Sequence, residues 1–204
     1  MKDLERALAD ITAIRSQMAR GTQFRGYGPV TVGATGLLAL LAATVQALYL
    51  PEPAADVLAY LALWIGMAIL AVILTGAEMV ARTRRVHGGL ADEMLVQAAE
   101  QYIPAGVAGT LSTVVLYRYA PQALPLLPGL WQIFFSLGVF ASSRSLPRGM
   151  FAVGIWYLAA GLVVLALSSV APFSPLSMAV PFGVGQLLMA FVLYRATGVH
   201  DAED

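Results

Sequence analysis

Cysteine is absent from this chain of 204 residues. Its absence excludes disulfides, iron–sulfur clusters, thiolate catalysis and covalently attached haem of the c type, which all need a thiol. Histidine is nearly absent, with only His87 and His200 present. Both lie outside the long apolar stretches, so paired imidazoles cannot hold a haem or chlorophyll there. An H-E-x-x-H zinc site and a Ser-His dyad fall for the same reason. Charge is scarce as well. Twelve basic and twelve acidic residues make up 12% of the chain, where a soluble domain carries about a quarter. They cancel to a formal net charge of zero, which removes any overall electrostatic case for nucleic acid. Walker, G-x-S-x-G and dinucleotide-binding motifs are missing too. The expectation is a protein with no catalytic residues, no cofactor and no metal.

What is present is apolar length. Hydrophobic residues make up 59% of the chain and the mean hydropathy is +0.75. Six runs, at residues 29–50, 57–81, 102–119, 123–141, 149–171 and 175–194, come close to the ~20 residues a helix needs to cross ~30 Å of hydrocarbon. Such runs satisfy their backbone hydrogen bonds only as helices. The third is the weakest, with Pro104, Ser112, Thr113 and Arg118 inside it. Charge placement retains it. With the N-terminus in the cytoplasm and six crossings, eleven of the twelve basic residues face inward and only Arg118 faces out, as positive-inside insertion requires. Without the third run, Arg144, Arg148 and Arg195 fall outside. The fold class expected is therefore an all-α integral membrane protein of six transmembrane helices. The polar segment before Val30 argues against a cleaved signal peptide.

Three divisions follow: an amphipathic helix in residues 1–26, a six-helix membrane domain in 27–196 and a short acidic tail in 197–204. In the first, Leu4, Leu8, Ile11 and Met18 share one helical face, with Arg15 interrupting the seam. Asp3 and Glu5 near the helix start and Arg20 near its end suit the macrodipole. This face is expected either to lie on lipid or to dock a second copy or a cytoplasmic partner. Within the membrane domain, Tyr27-Gly28-Pro29 lines up with Tyr102-Ile103-Pro104, and Leu63-Trp64 recurs as Leu130-Trp131. The pattern suits three parallel helical hairpins. Pro29 and Pro104 are expected in first helical turns, where a missing N–H costs nothing. Pro128 and Pro181 are expected to kink a span or to end a first turn.

Candidate functional residues are few. Glu78, with Thr75 one turn away, is an acid within about a turn of the inner boundary, where it reaches headgroup water, pairs with Arg82 or responds to protons or cations. Gln132, Ser136 and Gln186, with Thr110 and Ser112, either line a narrow path for a small solute or hydrogen-bond across helix contacts. Gly33, Gly36, Gly106, Gly109, Gly183 and Gly185 are expected to mark close helix packing. The basic loop from Arg82 to His87 reads as a topology determinant and an anionic-lipid contact.

Two stretches carry a resemblance. Ile11-Thr-Ala-Ile14-Arg15-Ser-Gln-Met18-Ala-Arg20 with Phe24-Arg-Gly26-Tyr-Gly28 is one; Leu127-Pro128-Gly129-Leu130-Trp131 through Ser145, then Met150 to Gly161, is the other. Together they resemble a loose group of uncharacterised bacterial membrane proteins. The resemblance implies a bacterial inner-membrane location, with both termini cytoplasmic on the charge pattern, and brings no activity or site. Two functions stay open. One is a non-enzymatic sensor or interaction protein with an N-terminal docking helix, likewise an oligomer. The other is a small oligomeric channel or carrier for a neutral or weakly acidic solute.

Overall fold

The computed structural model describes Ile11 and residues 27–87, 91–143 and 145–198, without the side chains of 85–87, 91–95, 97–98 and 197–198. Leu4, Leu8, Met18, the break at Gly21 and Gly26, His200 and the acidic tail lie outside the described residues. Ile11 is helical and about half exposed, at 48%.

Each long apolar run forms a helix. These are α1 (Pro29–Tyr49), α2 (Val57–His87), α3 (Ala91–Tyr119), α4 (Leu127–Ser142), α5 (Met150–Ala166) and α6 (Pro175–Gly198), with a 3-10 helix (Pro121–Leu126) leading into α4. No strand occurs among the described residues. Four segments are long and apolar enough to cross a membrane: Pro29–Tyr49, Val57–Arg84, Pro121–Ser142 and Pro175–Ala196. The other two helices differ in kind. The apolar α5 has 17 residues, or about 26 Å of rise. In contrast, α3 is long, at 29 residues, but its first turns carry Asp92, Glu93 and Glu100.

Those acidic turns alter one expectation. The helix begins at Ala91, so Pro104 stands inside α3 and not in its first turn. The polar residues after the basic loop continue the helix because Ala91, Glu93, Met94, Leu95 and Gln97 all favour it. Pro29 and Pro128 do open their helices, and Pro181 lies within α6.

Short connections make sequential helices neighbours. Each helix packs on the next, and α6 returns to α1, so the six close a ring in chain order; α4 also touches α6. The most extensive pairings are α1 with α6 and α4 with α5. Both rest on glycine. A methyl group on Gly36 of α1 would lie 3.2 Å from the Gly183 carbonyl of α6. One on Gly129 of α4 would lie 2.7 Å from the Gly161 carbonyl of α5. Gly106 departs from the expectation of close packing, because a methyl group placed on it would meet no neighbouring helix within 4 Å.

Two apolar clusters fill the ring. At the end with the proline-rich loops, Tyr60, Trp64, Leu124, Leu127, Phe173 and Met178 pack together. At the opposite, arginine-bearing end, Val139, Met150, Val153, Tyr157, Met189 and Leu193 do the same. Phe182 touches both clusters. Its ring centroid lies 5.7 Å from Phe135 and 5.4 Å from Tyr157, and those two are 4.6 Å apart. Edge-on and tilted contacts of this kind suit the ring quadrupoles. By contrast, only 17% of the apolar window in α2 is buried, with Ile65, Ile69, Val72 and Ile73 turned outward.

Candidate functional site

The polar side chains singled out in the spans do not converge. Thr75 donates to the Ala71 carbonyl at 2.7 Å and Ser136 to the Ile133 carbonyl at 2.7 Å, each within its own helix. Thr110 donates to its own helix as well, to Gly106 at 2.9 Å. Gln186 is half buried on α6, where its Cβ would lie 3.1 Å from a methyl on Gly36. An open hollow of about 460 Å³ lies on α3, lined by Ile103, Gly106, Val107, Thr110 and Leu111. It faces outward from the ring and is not joined to Gln132, Ser136 or Gln186.

Gln132 has a specific task. Pro181 lacks an N–H, so the carbonyl four residues earlier in α6, that of Ser177, loses its intrahelical donor. The Gln132 amide nitrogen of α4 donates to that carbonyl at 2.7 Å. Trp156 of α5 secures the same turn, its indole donating to the Pro181 carbonyl at 3.0 Å. The helix around Pro181 is thus held from two neighbouring helices.

Gln46, which the sequence does not single out, links three parts of the bundle. Wholly buried, it donates to the Phe173 carbonyl at 2.6 Å and accepts from the Trp64 indole at 2.8 Å. It therefore ties α1 to α2 and to the loop before α6, where Phe173 adopts a positive φ of 55°. A similar clasp joins α3 and α4, with the Trp131 indole donating to Thr113 at 2.9 Å. An apolar run with one glutamine carries no signal of its partner; the recurring Leu-Trp pair was the only sequence trace of these clasps.

Glu78 occupies the most unusual place. The first residue flanking α1 is Gly28, which has no side chain to cap the free N–H groups of the helix start. The Glu78 carboxylate of α2 packs directly on Gly28, in the space that a side chain at residue 28 would fill. A carboxylate beside a helix start is favoured by the positive end of the dipole. Neighbouring Tyr27 is partly buried, and desolvation pushes its phenol up to about 12. On α2, wholly buried Thr83 has a hydroxyl with no hydrogen-bond partner. The carboxylate is turned toward the start of α1.

Three more buried polar atoms lack partners: the Gln132 amide oxygen and the hydroxyls of Tyr60 and Tyr157. Among the described residues, no three His, Asp or Glu side chains come together in a way that could hold a metal ion. Protein-family models, curated proteins and solved structures were each compared with this chain, and none matches it.

Proposed function

We propose that this chain is a six-span protein of the bacterial inner membrane that senses or relays through contact, with residues 1–22 as its cytoplasmic docking helix. Both termini then face the cytoplasm, and the basic residues of the α2–α3 and α4–α5 connections lie on that side. The observation that carries this reading is the filled interior. Phe135, Tyr157 and Phe182 pack together inside the ring, and the Gln132 amide nitrogen and Trp156 indole beside them are used to hold helix to helix. A carrier needs the reverse, a polar track continuous across the bundle.

Residues 4–18 supply the contact surface, since Leu4, Leu8, Ile11 and Met18 share a face. Burying one such side chain is worth roughly 1.5–3 kcal/mol. Leu8→Asp with Ile11→Asp should therefore abolish co-purification of a partner, or dissociate an oligomer, while leaving membrane insertion intact. Unchanged complex mass in detergent would sink the docking reading.

The carrier reading keeps one observation in its favour. Buried, unpartnered oxygens of Gln132, Tyr157 and Tyr60 are the kind of group a transported polar solute would meet. Flux of small neutral solutes into vesicles containing the purified chain decides between the two. The contact reading expects none above that of empty vesicles.

A further inference from the structure

The connection between α5 and α6 buries a single side chain under strain. Helix α5 ends at Ala166 and α6 begins at Pro175. Between them Ala171 and Pro172 are exposed, while Phe173 is buried. Its φ of 55° lies in the left-handed region, which costs a residue with a bulky side chain conformational energy. The Phe173 ring lies 4.7 Å from that of Tyr60, in the cluster that holds Trp64, Leu127 and Met178. Gln46 donates to the Phe173 carbonyl at 2.6 Å. A second cost sits beside the ring, because the wholly buried Tyr60 hydroxyl has no hydrogen-bond partner.

We propose that the turn carrying Phe173 is a lid over the end of the ring with the proline-rich loops, and that it lifts to open the recess of Tyr60 and Trp64 to water. Two effects favour lifting. Phe173 regains an ordinary φ, and the Tyr60 hydroxyl gains water as a partner. Two effects oppose it, exposure of the Phe173 ring and loss of the Gln46 hydrogen bond. The opposing terms are of the same order, so neither state lies far from the other. The chain can bend where the motion needs it, since residues 167–174 lie outside any helix. Gln46 is the catch and does not travel with the lid, because its oxygen accepts from the Trp64 indole at 2.8 Å. The filled interior is then the closed one of two states. Opening proceeds from the end opposite the arginines and is independent of residues 1–22.

The absence of cysteine lets single thiols report the opening. Ala43→Cys on α1 and Met178→Cys on α6 place a thiol in the cluster under the lid, and Val153→Cys places one in the other cluster. All three positions are buried. Ala171→Cys, exposed on the turn itself, marks the side from which the lid is reached. A charged, impermeant methanethiosulfonate is applied to intact and then to permeabilised cells. Residue 43 or 178 should react slowly, from the same side as residue 171, and at least about tenfold faster than residue 153. Gln46→Leu releases the Phe173 carbonyl and should speed that reaction by about tenfold. Tyr60→Phe should slow it by about the same factor, since the closed lid then buries no unpaired hydroxyl.

Residues 43 and 178 both as inert as residue 153 overturn the lid, and Phe173 is then only a packed core residue. Reaction from the side opposite to residue 171 overturns it too. Gln46→Leu that leaves the rate unchanged, or speeds residue 153 equally, does the same, the latter because the whole bundle has then loosened. Unchanged or faster reaction with Tyr60→Phe removes the drive assigned to the opening and sinks the proposal. Faster reaction with Gln46→Leu at residue 43 or 178 alone, together with slowing by Tyr60→Phe, supports it. The side on which Ala171→Cys reacts tests the topology separately, because the lid is judged only against that side.

Discussion

A glutamine amide buried in an apolar helix costs desolvation unless its hydrogen bonds are made, about 1–3 kcal/mol for each group left over. Gln132 uses its nitrogen on the carbonyl that Pro181 strands and leaves its oxygen unpaired. Gln132→Leu should therefore lower stability by about 1–3 kcal/mol, through the Ser177 carbonyl and not through the lost glutamine itself. Pro181→Ala restores an N–H to that carbonyl. In thermal unfolding in detergent, the double change should lose less than the sum of the two single ones. Strict additivity would show that the two residues do not act on one carbonyl. Tyr60→Phe and Tyr157→Phe make the opposite case. Each removes a buried hydroxyl without a partner, so stability should hold or rise slightly.

The residue scale is also where the sequence was least legible. Glu78, Gln132 and Ser136 could be named as polar groups in apolar runs. Their partners could not, because Gly28, Ser177 and Ile133 contribute backbone or empty space. The one readable clue was a proline four residues after Ser177, which marks a carbonyl in need of a donor. Nothing in the sequence near Ser177 points forty-five positions back to Gln132.

At the level of elements, the six helices were legible because long apolar runs have no other way to satisfy their backbones away from water. Their ends were less so. Acidic residues 92, 93 and 100 end the apolar run, yet their helix propensity already points to a helix continuing through them, and it starts at Ala91, which moves Pro104 into its interior. At the far end of α5, apolar composition continues to Val170, but the helix stops at Ala166 and gives way to turns. The proposal that both α3 and α5 cross the bilayer is open to single-cysteine labelling. Ala54→Cys, Gln122→Cys and Ala171→Cys, all at exposed positions, should react with an impermeant reagent from outside. Arg84→Cys, Glu100→Cys and Arg148→Cys, also exposed, should react only after permeabilisation. Glu100 and Gln122 reacting from the same side would remove α3 from the spans. The two indole clasps, each linking residues eighteen positions apart across a hairpin, favour a hairpin repeat. The Tyr27–Tyr102 and Trp64–Trp131 correspondences are out of register by about two helical turns. An insertion between the opening motif and the tryptophan is needed if the repeat is real.

For the whole molecule, the unequal lengths of the helices set how it sits in lipid. Helix α2 rises about 46 Å over its 31 residues and α5 about 26 Å over 17. A bilayer core of about 30 Å matches neither. On the α5 side, exposed Leu167 and Val170 in the turns beyond the helix would have to be drawn into the acyl region, or the leaflets would have to thin. On the α2 side, tilt absorbs the excess, and the sparse contacts of that helix leave it free to lean. Hydrophobic mismatch of this graded kind costs fractions of a kcal/mol per Å, enough to favour one membrane thickness over another. Thermal stability measured in short-chain, intermediate and long-chain phosphatidylcholine should therefore peak toward the thinner bilayers. Bilayer thickness, through the lean of α2, then becomes an input to the molecule in its own right.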